Sequence, residues 1–281
     1  MKAIASISRT NEILKKFGIH AKKGFGQNFI IEPKIVEKIA RLSDAGKQDC
    51  VIEIGPGIGA LTEQLALISQ KVIAYEIDKK LIPVLSYSLS EYANVEVINQ
   101  DFLKIDLLTV LEGLKKEYAN IRVCANLPYY ITTPILFKLF DYKDQLTSIT
   151  VMMQKEVAER FQAKVNTKSY NALSVIVQYS FDVQIVMKIP RTIFNPAPAI
   201  DSAVVTFIPK DIIDPITEEQ EFFNLVKACF KQRRKTIYNN LKVYVKDDKK
   251  AKAMLKNAQI AENARAQEID LKGFKKLYYE R

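Results

Sequence analysis

The stretch Val51-Ile52-Glu53-Ile54-Gly55-Pro56-Gly57-Ile58-Gly59 constrains this chain more than any other. An apolar, β-branched run enters a turn dense in glycine, and a helical pattern opens directly after it. Glycine reaches backbone angles that a side chain forbids and lets the main chain approach a ligand closely. A strand, a glycine turn and a helix in that order begin a wound α/β unit, in which ligands settle beyond the carboxyl ends of the strands. Taken alone, the motif leaves both a structural turn and a dinucleotide site open.

The alternation continues from Asp49 to about Ile208. Strands are predicted at Val51–Ile54, Lys71–Glu76, Val95–Asn99, Arg122–Ala125 and Ser148–Met153. Helices fill the intervals near Leu61–Ser69, Lys79–Leu89, Leu107–Glu117, Pro134–Phe140 and Lys155–Gln162. A helix near Ala172–Tyr179 precedes a final pair of strands, Asp182–Met187 and Ser202–Ile208. The fold class is α/β: a Rossmann-like, mostly parallel sheet with a last antiparallel strand. After the polar, proline-bounded segment Pro209 to Pro215 the pattern is helical throughout, beginning with Glu218–Phe230. At 281 residues, 48% of them hydrophobic, the chain can fill one large core and a smaller one. The expected division is a basic N-terminal arm (1–24), a catalytic domain (25–209) and a small all-α domain (210–281).

Composition removes several function classes. The only histidine is His20, so a histidine-based triad or multi-histidine metal site lacks its raw material. Cys50, Cys124 and Cys229 lie far apart, without metal-ligand or disulfide spacing. No metal is expected. The longest apolar runs are far shorter than the roughly 20 residues that span a bilayer, and a cytoplasmic monomer without a membrane partner is expected. Lys2, Arg9, Lys15, Lys16, Lys22 and Lys23, against Glu12 alone, give the N-terminus the charge of a transit peptide, but no apolar signal core follows. A basic helix, Asn11–Phe17, is the plainer reading.

A formal net charge of +10 and a pI near 9.3 point to a polyanionic partner. The charge is concentrated. Lys231, Arg233, Arg234, Lys235, Lys242, Lys246, Lys249, Lys250, Lys252 and Lys256 face only Asp247 and Asp248 within their stretch. This is either a solvated helical face or a surface for phosphates.

Three acids narrow the choice for the glycine turn. Glu76 ends the second predicted strand, where a carboxylate can accept both hydroxyls of a ribose. Asp101, after the third strand, can contact an adenine amino group while Phe102 lies against the ring. Glu53, within the first strand, suits a cationic cofactor better than a pyrophosphate. This order of features resembles the class I methyltransferase fold, which implies S-adenosylmethionine across the carboxyl ends of the strands.

Asn126-Leu127-Pro128-Tyr129 stands at the end of the fourth predicted strand. The lone pair of an adenine amino nitrogen is delocalised into the ring, so the group must be desolvated and aimed before it attacks. The Asn126 side-chain oxygen and a backbone carbonyl beside the proline can accept its two N–H bonds. Tyr129 offers a stacking face for an extruded base. Phe194, in the proline-stiffened segment Phe194-Asn195-Pro196-Ala197-Pro198-Ala199-Ile200-Asp201-Ser202, is either the opposite wall of that pocket or a core residue in a rigid connector.

Together with Gly26-Gln27-Asn28-Phe29-Ile30, these motifs resemble the ribosomal RNA adenine dimethyltransferases over nearly the whole chain. In the tail, Phe230-Lys231-Gln232-Arg233-Arg234-Lys235-Thr236 and Asn239-Asn240-Leu241 are more similar to the enzymes acting on 16S RNA than to the resistance enzymes acting on 23S RNA. The resemblance implies dimethylation of two adjacent adenosines in a hairpin near the 3′ end of 16S ribosomal RNA, during biogenesis of the small subunit. It places cofactor contacts on Asn28, Ile30, Gly55, Glu76, Asp101 and Asn126, beside the Glu53, Gly57 and Phe102 read from the residues. It puts Arg233, Arg234 and Lys235 nearest phosphate. The chain departs from the family at Ile30, often Leu, at Tyr130, often Asn, and at Gln267, usually Glu. The rivals are a 23S-type enzyme, a DNA adenine methyltransferase, an NAD-dependent dehydrogenase and a non-catalytic ribosome-assembly factor.

Overall fold

The structure, a computed structural model, describes residues 2–19 and 28–281. His20, Gly26 and Gln27 lie outside the described residues. The expected N-terminal arm is, over residues 2–19, part of the folded body. Helix α1 (Ile7–Lys16) is capped by Ser6, whose hydroxyl accepts the Arg9 N–H, and its Thr10 and Ile13 are fully buried. The Ile4 N–H donates to the Glu63 carboxylate at 3.0 Å. Lys2, Lys15 and Lys16 are exposed, Arg9 is largely covered against Glu12 and Tyr87, and the other face of the helix joins the core.

Strand β1 (Phe29–Ile30) and helix α2 (Pro33–Leu42), with proline in its first turn, lead into β2 (Asp49–Ile54). All six β2 residues are buried, as a central strand covered on both faces requires. There follow α3 (Ala60–Ile68), β3 (Lys71–Tyr75), α4 (Ile82–Ser88), β4 (Val95–Ile98), α5 (Leu107–Leu114), β5 (Asn120–Asn126), α6 (Thr132–Phe140), β6 (Ser148–Gln154), α7 (Lys155–Phe161), α8 (Ala172–Ser180), β7 (Phe181–Ile189), β8 (Phe194–Asn195) and β9 (Ser202–Pro209). The main sheet has the order β4-β3-β2-β5-β6-β9-β7. Strands β2 to β6 run parallel, and β9 is antiparallel to β6. Strand order reverses between β2 and β5, which creates a crevice at their carboxyl ends. At their amino ends Asp49 accepts hydrogen bonds from Asn120, the Gly46 N–H and Arg122. Burial alone would raise this carboxyl, but those donors outweigh it and hold Asp49 below its ordinary range.

Two features escape the sequence reading. Helix α2 was not predicted. Strands β1 and β8 pair antiparallel, Ile30 opposite Phe194, and so clamp the N-terminal motif to the proline-rich segment.

The chain divides into two compact units, Met1–Ala158 with Gln184–Pro209, and Glu159–Val183 with Lys210–Arg281. The helical unit is thus larger than residues 210–281. It takes in α8 as well as α9 (Glu219–Cys229), α10 (Ile237–Val245), α11 (Asp248–Asn257) and α12 (Leu271–Tyr279). Its core joins Tyr170, Val175, Ile176 and Tyr179 to Phe222, Leu225, Val226 and Phe274. The Tyr170 hydroxyl donates to the Ile269 carbonyl at 3.0 Å, and the Tyr179 hydroxyl accepts the Ile216 N–H at 2.9 Å. Burial of these polar tips with partners fixes the register of the packing.

Candidate active site

The turn after β2 is built on left-handed glycines: Gly55, Gly57 and Gly59 have φ of 71°, 62° and 91°, where an L side chain is strained. The close approach is also real. A Cβ on Gly55 would stand 3.7 Å from the Pro128 ring, and one on Gly57 would stand 3.5 Å from the Phe29 ring. The glycine turn is thereby flanked by the motif after β5 on one side and by β1 on the other.

One cleft at the carboxyl ends of the strands is lined by Asn28, Phe29, Ile30, Glu53, Gly55, Gly57, Glu76, Asp101, Phe102, Asn126, Leu127, Pro128 and Tyr129, with neighbours such as Ile77 and Tyr130. The structure therefore brings together every residue singled out as a cofactor or base-site candidate except Phe194. Phe194 is 4% exposed and packs in the core cluster that contains Ile30, Val36 and Val204. It pairs with Ile30 across β1 and β8. Arg233, Arg234 and Lys235 lie in the helical unit, exposed on the turn before α10. The Arg233 guanidinium donates to the Lys168 carbonyl at 2.6 Å.

The three acids differ in environment. Glu53 is 1% exposed, and its Oε2 has no hydrogen-bond partner. Burial pushes its carboxyl up to about 8, with the Thr62 hydroxyl opposing the rise and the Glu76 charge adding to it. Glu76 accepts the Asp78 N–H at 2.7 Å. Burial raises it too, while the N–H groups of Asp78, Gly57 and Ile77 draw it back. Asp101 caps the turn that follows β4 by accepting the Leu103 N–H at 3.0 Å. Beside it the Phe102 ring meets Tyr75 edge-on, centroids 5.6 Å apart.

Asn126 ends β5, and the Leu127 N–H donates to the Met152 carbonyl at 3.1 Å. The Pro128 carbonyl is committed to the Ile131 N–H at 3.2 Å and the Thr132 hydroxyl at 2.9 Å. Asn126 is half-buried and Leu127 is buried, and both line the cleft. The Tyr129 and Ser202 hydroxyl oxygens are 2.6 Å apart, a bond that fixes the tyrosine ring. Burial holds the Tyr129 phenol above its ordinary range although Ser202 opposes the shift. Tyr130 is 53% exposed and belongs to the rim, not the core. Sequence reasoning missed Ile77, 46% exposed on the same rim; an apolar residue following Glu76 without a core to enter was the available signal.

Among the described residues lining the cleft there are three carboxyls and no lysine, arginine or histidine. A dinucleotide's pyrophosphate would find no counter-charge there. The lining suits a cationic ligand: a buried carboxyl with one oxygen unpartnered, a second acid that accepts the Gly57 N–H of the glycine turn, and a third beside an aromatic ring. No group of three or more potential metal ligands occurs among the described residues, and no helix there is long and apolar enough to cross a membrane.

A family model described as "Ribosomal RNA adenine dimethylase" matches residues 18–279. The chain is 49% identical over 243 residues to "Ribosomal RNA small subunit methyltransferase A" of Bacillus mycoides, covering 86% of this chain and 83% of that one. The proteins of the same name from Bacillus cereus and Bacillus anthracis match equally. Among solved structures it resembles a dimethyladenosine transferase from Plasmodium falciparum (TM-score 0.72, 29% identity, 89% of this chain and 96% of that one). It also resembles the 23S ribosomal RNA methyltransferase ErmE (TM-score 0.69, 25% identity, 90% and 99%).

Proposed function

Because this chain belongs to the ribosomal RNA adenine dimethylase family, we propose that its cleft binds S-adenosylmethionine and directs methyl groups to the N6 amino groups of two adjacent adenosines near the 3′ end of 16S RNA. The chain is an enzyme of ribosomal RNA adenine dimethylation in the small subunit. The observation that carries the site assignment is the meeting, in one cleft free of basic side chains, of Glu53, Glu76 and Asp101 with the Asn126-Leu127-Pro128-Tyr129 turn.

The bound cofactor supplies an electrophilic methyl group on a positively charged sulfur. Glu76 is placed to accept the ribose hydroxyls, Asp101 and Phe102 to hold the adenine, and Asn28 and Ile30 to close the wall behind the glycine turn. Glu53, raised to about 8 by burial, ionises beside a cation and then supplies the negative potential that the cation needs in a dry site. For the target base, Tyr129 is held by Ser202 as a stacking platform. The Asn126 side-chain oxygen and the Leu127 carbonyl accept the two N6–H bonds, which turns the nitrogen lone pair towards the methyl group. A neutral amide takes up no proton, so the proton displaced from N6 would leave to water, and the thioether would depart with the electron pair of the broken sulfur–methyl bond. The proline removes a competing donor and stiffens the turn.

The test is transfer of labelled methyl groups to unmethylated small ribosomal subunits, 23S RNA and duplex DNA, with wild type and Asn126→Ala compared. Dimethyladenosine in the small subunit alone is expected, with Asn126→Ala at least about 100-fold slower, the usual cost of a misaimed reacting group. Transfer to 23S RNA instead, the substrate from which the ErmE methyltransferase takes its description, would move the substrate; no transfer to any of the three would favour a non-catalytic assembly role.

A further inference from the structure

Lys138 lies on α6, the helix that follows the base-site turn, in the otherwise apolar run Ile135-Leu136-Phe137-Lys138-Leu139-Phe140. Its ammonium donates to the Leu103 carbonyl at 2.9 Å and to the Ile105 carbonyl at 2.7 Å. It also stands 5.8 Å from the centre of the Phe102 ring. Burial lowers the Lys138 ammonium, and the charges of Asp101 and Asp106 oppose that shift. Two charge-assisted bonds to adjacent carbonyls restrain a side chain that otherwise carries much rotamer freedom.

The turn gripped in this way is the one that begins at Asp101. Its inner bonds are few: the Asp101 carboxylate accepts the Leu103 N–H, and the Lys104 N–H donates to the Asp101 carbonyl at 2.9 Å. Phe102, 4% exposed, turns its edge to Tyr75. Phe102 holds one side of this short 3₁₀ turn against β3, and the Lys138 ammonium ties the other to α6, whose first turn is joined to the base-site turn by the Thr132 hydroxyl on the Pro128 carbonyl. A chain of named contacts thus runs from Asn126-Leu127-Pro128-Tyr129 through α6 to Asp101 and Phe102.

We propose that Lys138 is a positioning residue for the adenine end of the cofactor site, tying the turn that presents Asp101 and Phe102 to the helix that follows the base-binding turn. The proposal rests on the reading of the cleft as an S-adenosylmethionine site. It predicts a selective defect: loss of the ammonium loosens the adenine end and leaves the base-aiming acceptors in place.

Lys138→Met keeps the aliphatic stem and removes the donor. Calorimetric binding of S-adenosylhomocysteine is expected to weaken about tenfold, with KM for S-adenosylmethionine raised to a similar extent and kcat within about twofold of wild type. Lys138→Arg, which can reach both carbonyls, is expected to recover most of the affinity. Hydrogen exchange of the amides of residues 101–106 should quicken in Lys138→Met and not in Lys138→Arg. Unchanged affinity in Lys138→Met, or a fall in kcat with KM untouched, overturns the proposal. Should Lys138→Met fail to fold, Lys138→Gln, whose neutral amide sits on a shorter stem, is expected at intermediate affinity, and wild-type affinity there overturns it equally. Wild type that binds no S-adenosylhomocysteine would instead sink the cofactor reading itself.

Discussion

Glu53 shows what one side chain can do in a dry strand. Its carboxyl sits near 8 in the folded chain against an ordinary value of 4.5, so between those two pH values the folded state holds a proton that the unfolded state has released. Stability contributed by the neutral form is therefore complete below about pH 4.5 and is lost as pH rises through 8. Glu53→Gln removes the dependence. Its melting temperature should match wild type near pH 4.5 and exceed it by on the order of a few degrees at pH 8; parallel curves would show that Glu53 is not the titrating group. A cation beside Glu53 pulls the carboxyl back down, so affinity for S-adenosylmethionine should climb towards pH 8, by up to about tenfold per pH unit, and stay flat in Glu53→Gln. The acid was readable from its place before the glycines. Its neutral resting state was not, because that depends on Thr62, Glu76 and the helices that exclude water. Phe194 meets the same limit: an aromatic residue between prolines fits a pocket wall and a core brace equally, and its pairing with Ile30 is a long-range contact that no local pattern announces.

Among elements, the central strands were legible, whereas one ten-residue helix and the two shortest strands were not. Each strand from β2 to β6 was placed within two residues of its bounds, since apolar runs of four to seven residues between turn signals leave little choice. Helix α2 opens with proline after an acid instead of a hydroxyl cap, so its start carries no capping signal. Strands β1 and β8 have two residues each, too few for any alternation, and pair across the whole catalytic unit. The junction of elements that matters most for the base site is the start of β9, where Ser202 meets Tyr129. Ser202→Ala should cost about 1 kcal/mol of stability through the orphaned phenol and raise KM for the RNA several-fold. Affinity for S-adenosylhomocysteine should be unchanged; a matching loss there would mean that the bond supports the cofactor side instead. Denaturant unfolding and calorimetry read the two effects separately.

At the scale of the whole molecule, net charge reports a partner and not a fold. All ten basic residues from Lys231 to Lys256 are exposed, though Lys242 and Lys252 share Asp248. If about six phosphates are met there, RNA affinity should fall with salt along a log–log slope of roughly −4, and a slope near zero would assign the charge to solubility. The division of the chain was only partly legible. Helical periodicity located α8 but carries no sign of which core its apolar face enters. That face enters the helical unit: Tyr170, Val175, Ile176 and Tyr179 pack with Phe222 and Phe274. A fragment ending at residue 209 should therefore expose this face and aggregate, whereas a clean domain deletion would stay monomeric in size-exclusion chromatography. The helical unit is interleaved with the catalytic one in sequence, drawn from two separate stretches of chain. For anyone grafting a foreign tail onto this catalyst to send it to another RNA, the cassette to exchange is not a terminus: residues 159–183 must travel with it, as one half of a lock whose other half begins at 210.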